Sequence, residues 1–282
     1  MTLRLALAVV MLMGAASASA QTVPDVRVGI DVRRDRFTYH FDNPSSVDTP
    51  FLVPHFFEQQ YIADNVWLAV TARYQAGAHW ETTVGATPSH TATGDDYDTF
   101  FDPGGSVVVS GITGGISIRS LQFSQRATLS RIGPVSLLTG YRLRIDRSDF
   151  QLGHKSVTRN GVLVAATDVT TRENTRSQVH EVFAGGTFTR QFGSGWQVSV
   201  DAEVAPATVA RLTVDLPDTY PGQDLVFLAK VGAATARTAL EWRAGRWRLE
   251  VSADAGRTWS YSADGRLIRE LLGARLACGR GW

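Results

Sequence analysis

The 282-residue sequence predicts an all-β fold: a transmembrane antiparallel up-and-down β-barrel of about ten strands, with short periplasmic turns and longer extracellular loops. Three observations predict it. Apolar and polar residues alternate with period two through the chain after residue 20, which is the pattern of a strand with one apolar and one wet face. Short and long connections alternate between those strands. No apolar run of eighteen or more residues follows residue 20, so no helix there is built to span a bilayer.

The elements follow in chain order. Residues 1–20 read as a cleaved signal peptide: Arg4, then an apolar run from Leu5 to Met13, then Ala18-Ser19-Ala20 before Gln21. Residues 21–282 form the barrel. In the first strand, about 26–41, Val26, Val28, Ile30 and Val32 alternate with Arg27, Gly29, Asp31 and Arg33. Further strands fall at about 56–74, 79–87 and 106–130. The fifth, about 135–149, sets Leu137, Tyr141, Leu143 and Ile145 against Arg142, Arg144 and Asp146. Others fall at about 176–192, 196–211, 225–242, 247–261 and 266–282. The eighth carries Lys230 and Arg237 on opposite parities, which predicts a bulge or a misplaced boundary there.

The connections obey a parity. After the even strands come short turns: Gln75–Ala78, Arg131–Pro134, Gly193–Gly195 and Arg243–Arg246. After the first four odd strands come long segments: Asp42–His55, Thr87–Gly105, Phe150–Thr175 and Leu212–Asp224. A barrel with both termini in the periplasm has this alternation. Arg159-Asn160-Gly161 reads as the tip of a protruding hairpin within the third long segment. Trp196, Trp242, Trp247 and Phe192 beside the short turns, and Phe37, Tyr39, Phe41, Trp259 and Tyr261 near the long loops, read as two aromatic girdles. The terminal Trp282 closes an alternating last strand, the mark read by barrel-assembly machinery.

Composition limits the function. Lys plus Arg number 28 and Asp plus Glu 27, a net charge of +1 that argues against a nucleic-acid binder. The single cysteine, Cys278, forms no internal disulfide. Mean hydropathy is −0.07, as expected when alternate residues face lipid and a polar interior. The inward polar positions include Arg27, Asp31, Arg33, Arg142, Arg144, Asp146, Asp201, Glu203, Arg248, Glu250, Asp254, Arg269 and Arg275, mixed in sign. They predict a lumen plugged by salt-bridged side chains rather than a charge-selective pore. Arginine suits that role because its fork pairs carboxylates bidentately.

A ten-stranded barrel of this size resembles the omptin family of outer-membrane proteases. That resemblance implies an acidic pair on one side of the mouth, for which Asp96 and Asp98 are the catalytic candidates, and an Asp–His pair on the other. The fourth loop offers Asp215, Asp218 and Asp224 but no histidine, so nothing there activates water. Asp95, Asp96, Asp98 and Asp102 concentrate oxygen ligands for Ca²⁺, without the spacing of a Ca²⁺-binding EF-hand loop. His154-Lys155-Ser156 resembles the His-x-Ser pair of outer-membrane lipid hydrolases but reads as solvated loop; His180 reads as an outward interfacial residue. The expectation is an outer-membrane barrel, monomeric, in contact with lipid and lipopolysaccharide, with no cofactor and no metal. Its role is a small channel or a structural or adhesive surface component. An omptin-like protease or other barrel hydrolase is one alternative, and a soluble exported β-sandwich or lipocalin-like binding protein is another.

Overall fold

The computed structural model describes residues 25–42, 55–101, 106–215, 222, 224–260 and 265–280. The signal-peptide reading, Asp102, Tyr261 and Trp282 lie outside these residues.

Ten antiparallel strands close into a barrel in which each pairs with its sequence neighbours and β1 pairs with β10. They are β1 Asp25–Asp42, β2 His55–Ala76, β3 Ala78–Phe101, β4 Val107–Ile132, β5 Val135–Arg159, β6 Val162–Phe192, β7 Trp196–Asp215, β8 Asp224–Ala244, β9 Trp247–Ser260 and β10 Gly265–Arg280. Closure leaves no free edge around the barrel body, the condition under which a sheet survives without water. Glycines at positive φ make the short turns: Gly77 (70°), Gly133 (59°), Gly193 (57°) and Gly245 (58°).

Pleating sorts the side chains as the alternation predicts. Val28, Ile30, Val32 and Leu68 point outward and are more than half exposed, whereas Arg27, Asp31, Asp35 and Trp67 are buried in the lumen. All the inward charges read from the sequence are buried or half-buried. On β5 the outward apolar belt runs from Val135 to Ile145, the ~9–11 residues that a tilted strand needs to cross a bilayer. Above it the outward face turns charged: Arg34, Asp64, Arg119, Arg147, Arg176, Arg211, Lys230 and Arg257 are all exposed.

Four expectations are corrected. The segments Thr87–Gly105 and Phe150–Thr175 are mostly strand: β3 runs to Phe101, and β5 and β6 continue to a two-residue turn at Asn160-Gly161. These extensions lie above the apolar belt and lack the strict apolar–polar alternation that marks strands lower down. The hairpin tip itself is where the sequence puts it, with Asn160 at φ 48° and Gly161 at φ 79°. Asn160 also accepts from the Val107 amide through Oδ1 (2.9 Å), which fastens the tip to β4. Second, β8 carries no bulge, because its pairing with β9 is unbroken from Val231 to Ala244; the shift lies on β7, between Ala205 and Thr208. Lys230 simply faces outward. Third, Phe37 and Tyr39 are not girdle residues: they are 2% and 0% exposed, inside the lumen. Above the apolar belt the outward face is charged, so the apolar parity inverts and the aromatic residues turn in. The lower girdle does stand outward, with the Trp196 and Trp242 rings 6.3 Å apart. Fourth, the lumen plug is only partly ionic, as described below.

Gly161→Val forces a β-branched residue into the left-handed region, at about 1–3 kcal/mol. Amide exchange in the 155–166 hairpin is expected to quicken roughly tenfold or more. The barrel's unfolding midpoint should stay unchanged, because the tip lies beyond the closed sheet. Unaltered exchange would refute the assignment of the turn.

Candidate functional site

The lumen is the most elaborated part of the molecule. Its polar stations arise from one rule: each strand sends every second residue inward, and those residues are Arg, Asp, Glu, Ser and Thr along the lower half.

At the middle, four side chains from three strands form a closed ring. Arg144 contacts Asp35 (2.8 Å) and Asp146 (3.0 Å). Arg269 contacts the same two, Asp35 at 3.2 Å and Asp146 at 2.7 Å. Asn65 donates to Asp35 (2.9 Å) and Ser120 to Asp146 (2.5 Å), so β2 and β4 are tied in as well. Asp35 is fully buried and the other three are under one-tenth exposed. Two carboxylates meet two guanidinium groups, so the ring is neutral. The Arg33 and Arg144 guanidinium groups also sit 5.1 and 5.0 Å from the Trp67 ring, within cation–π range.

Toward the short turns lie two more networks. Arg126 bridges Glu81 (3.2 Å) and Asp201 (3.1 Å), while Arg142 bridges Glu181 (3.0 Å) and Glu203 (2.6 Å). Below them Arg27, 1% exposed, touches Asp25 (2.9 Å), Glu241 (2.8 Å) and Glu250 (2.6 Å), and Glu250 also receives Arg237. Two cavities interrupt the networks. One, of about 170 Å³, lies against Asp31, Arg33, Asp201 and Arg275. The other, of about 480 Å³, lies at the turn end against Gln75, His79, Arg243 and Arg248.

Toward the long-loop end the lumen is apolar. Phe37, Tyr39, Tyr61, Ile116, Ile118, Phe150, Val179, Leu212, Val214, Val231 and Leu267 form one buried cluster, with Ala92 and Ile112 packed on it. Phe37 stacks on Tyr61 at 5.2 Å. Every strand except β9 contributes, so the cluster crosses the full lumen. The tight fit is visible at Gly94, where an added Cβ would lie 2.1 Å from Ile116 Cδ1. The sequence reading assigned the ionic stations but missed Asp35, Glu81, Arg126 and Glu241 among them, and missed this seal. Asp35 was legible, since it continues the odd parity of Arg27, Asp31 and Arg33.

The proposed site residues are dispersed. Asp96 and Asp98 are strand positions of β3, opposite Ile112 and Ser110 of β4, not loop residues. Asp95 takes the other parity of β3 from Asp96 and Asp98, so these three do not share one face. Its carboxylate accepts from Thr113 (2.7 Å) and Gln60 (3.4 Å). Among the described residues no three His, Cys, Asp or Glu gather as a metal cage. His154 stands on β5, not in a loop, with Nδ1 3.0 Å from Asp168 across the hairpin; both are largely exposed. His180 faces outward as expected, with Nδ1 2.7 Å from the Tyr141 hydroxyl. No histidine lies on β7 or β8.

No family model matches the chain, and no curated protein matches it in sequence. Solved structures do match in shape. The outer-membrane protease OmpT of Escherichia coli aligns over 92% of this chain and 96% of its own, with TM-score 0.65 at 6% identity. The β-domain of the Bordetella autotransporter BrkA aligns over 92% and 99%, at 8% identity and TM-score 0.39. Ail, the attachment invasion locus protein of Yersinia pestis, aligns over 90% and 97%, at 9% identity and TM-score 0.32. The first of these shows that the chain has the omptin barrel architecture; at 6% identity it shows the fold alone.

Removing one member of a buried ion ring strands the others. Asp35→Ala leaves Arg144 and Arg269 short of a carboxylate and is expected to cost about 3–5 kcal/mol. Arg34→Ala breaks only the exposed pair with Asp64 and should leave the unfolding midpoint in place. Denaturant titration of the detergent-folded barrel distinguishes them; equal midpoints would count against the ring as a structural tie.

Proposed function

We propose that the protein is an integral outer-membrane barrel that does not conduct. On this reading the barrel is a closed stalk that holds the projecting parts of β3 to β6 above the membrane, in a structural or adhesive surface role. The observation that carries it is the double closure of the lumen, a neutral ion ring below an apolar seal built from nine of the ten strands.

Membrane insertion is supported by the outward faces. Exposed Val, Ile and Leu form a belt around the barrel body, and an exposed layer that large has no place on a soluble surface. Aromatic residues mark its lower rim and arginines its upper rim. Arginine forks match phosphate geometry, so the upper collar is suited to lipopolysaccharide headgroups. The tyrosine–histidine pair Tyr141–His180 lies within the belt but satisfies itself. A lumen of this kind stabilises a barrel through side chains that a porin replaces with water. Narrow ten-stranded closure, balanced lumen charge and the apolar seal all act against ion passage.

The protein is expected to resist carbonate extraction from membranes and to change gel mobility on boiling. In planar bilayers it should give no resolved single-channel steps. Regular open-channel steps in the parent protein would overturn the sealed-stalk reading, and carbonate release would overturn the membrane reading itself.

A further inference from the structure

The barrel body has no free edge, but among the described residues the projecting sheet has one. β6 begins at Val162, whereas its pairing with β7 begins only at Asn174, opposite Asp215. From Val162 to Thr170, β6 pairs with β5 on one side, with register shifts at Val164 and after Thr170, and among the described residues no strand pairs with its other side. Such an edge presents backbone donors and acceptors in a row and is a template for another strand. Natural edges are usually blunted by lysine, proline or inward charge. This one reads Val-Leu-Val-Ala-Ala-Thr-Asp-Val-Thr-Thr-Arg, with no lysine and no proline. Val162, Leu163 and Val164 are 66%, 60% and 58% exposed. Its one acid, Asp168, is held by His154 of β5.

We propose that this edge joins a second copy of the same chain in an opposing membrane, strand to antiparallel strand. The proposal rests on the membrane reading above. Self-pairing is favoured by the sequence itself. With Thr167 on the two-fold axis, Ala166 stands opposite Asp168 and Ala165 opposite Val169. No like charges meet in this central stretch, and like charges directly opposite are what destabilise a cross-strand pair. Around that axis, from Ala165 to Thr170, β6 is in regular register with β5, so the edge is straight where the pairing is centred.

Geometry decides the arrangement. Two copies in one membrane are related by rotation about the membrane normal, and both β6 strands then descend toward the bilayer. With strands tilted ~35–45° such a pair crosses at roughly 70–90°, which no antiparallel ladder tolerates. A copy from a facing membrane runs its β6 the other way, and a two-fold axis normal to the sheet aligns the two edges. Thr167 lies nine positions beyond Arg176 of the charged collar. At about 3.3 Å per residue and that tilt, it stands about 23 Å above the collar. One ladder of this length buries less than a stable pair of proteins needs. Contact between two membranes therefore depends on many weak ladders acting together.

The test uses the full-length mature protein inserted in phospholipid vesicles, with tethering read by light scattering and by energy transfer between two lipid-dye populations. Parent vesicles are expected to cluster with each other and not with protein-free vesicles. Thr167 is exposed, so Thr167→Lys and Thr167→Glu leave the barrel intact, which unchanged heat-dependent gel mobility verifies. Each variant alone places like charges across the axis and should cut clustering at least tenfold. Mixing vesicles that carry Thr167→Lys with vesicles that carry Thr167→Glu should restore it. Absent clustering of the parent, undiminished clustering of either variant, failure of the mixture to recover, or binding to protein-free vesicles would each overturn the proposal. Because gel mobility reports insertion separately, a barrel that inserts but does not tether refutes only this inference.

Discussion

A sheet closed on itself has to dispose of its inward side chains, and everything else in this molecule depends on how it does so. Ten strands leave an interior too narrow for bulk water and too wide to close by backbone alone. The chain fills it with charged groups that cancel pairwise. Asp35, Asp146, Arg144 and Arg269 meet in one ring, and each carboxylate has a further donor from β2 or β4. Taking such charges out of water is costly, and the attraction between them offsets that cost only with near-complete pairing. The ring therefore acts less as a source of stability than as a constraint on register: a one-residue slip of β1 would send Asp35 outward and leave two arginines unmatched.

The same constraint separates the two ends of the lumen. A chamber of about 480 Å³ lies at the short-turn end among charged and polar groups, and one of about 170 Å³ reaches from Asp31 and Asp201 past Arg144 and Arg269 to Phe37, Val179 and Leu267 of the apolar cluster. Buried polar atoms without a protein partner, among them Asp201 Oδ1, Ser252 Oγ and Arg142 Nε, border this region and call for water. Above the ring the lumen is mainly apolar and aromatic, with Glu173 and Thr175 buried beside the Tyr39 hydroxyl. The inversion follows the outward face. Along the belt apolar residues go out and charge goes in. Above it charge goes out, as at Arg34 and Arg36, and Phe37 and Tyr39 go in. The proposed membrane setting accounts for the change, with lipid around the belt and water above it. One sheet thus changes the sense of its amphipathicity along its length, and the charged collar marks the change.

That inversion also explains where sequence reading succeeded. Within the belt the alternation is strict, and the faces of β1, β5, β7 and β9 and the inward set from Arg27 to Arg275 were all legible. So was the hairpin tip, because Asn-Gly is demanded by two positive φ angles. Above the belt both faces are wet or both are mixed, so β3 beyond Thr87 and the β5–β6 projection looked like loops. The ionic stations were legible as positions but not as partnerships. Arg144 and Asp35 lie 109 residues apart in the chain, and only closure of the sheet brings them to 2.8 Å.

By itself the sequence determined the strand count, the parity of turns and the inward and outward faces, because a pleated strand with an apolar outer face and a polar lumen imposes period two on every residue it passes. Tertiary structure alone decided three things: which charges cancel, that the upper lumen is packed with apolar side chains, and that among the described residues one stretch of β6 outruns β7. Each of these depends on how far neighbouring strands extend and on which walls face each other across the barrel. Those are properties of the closed ring, and no local pattern along a single strand encodes them.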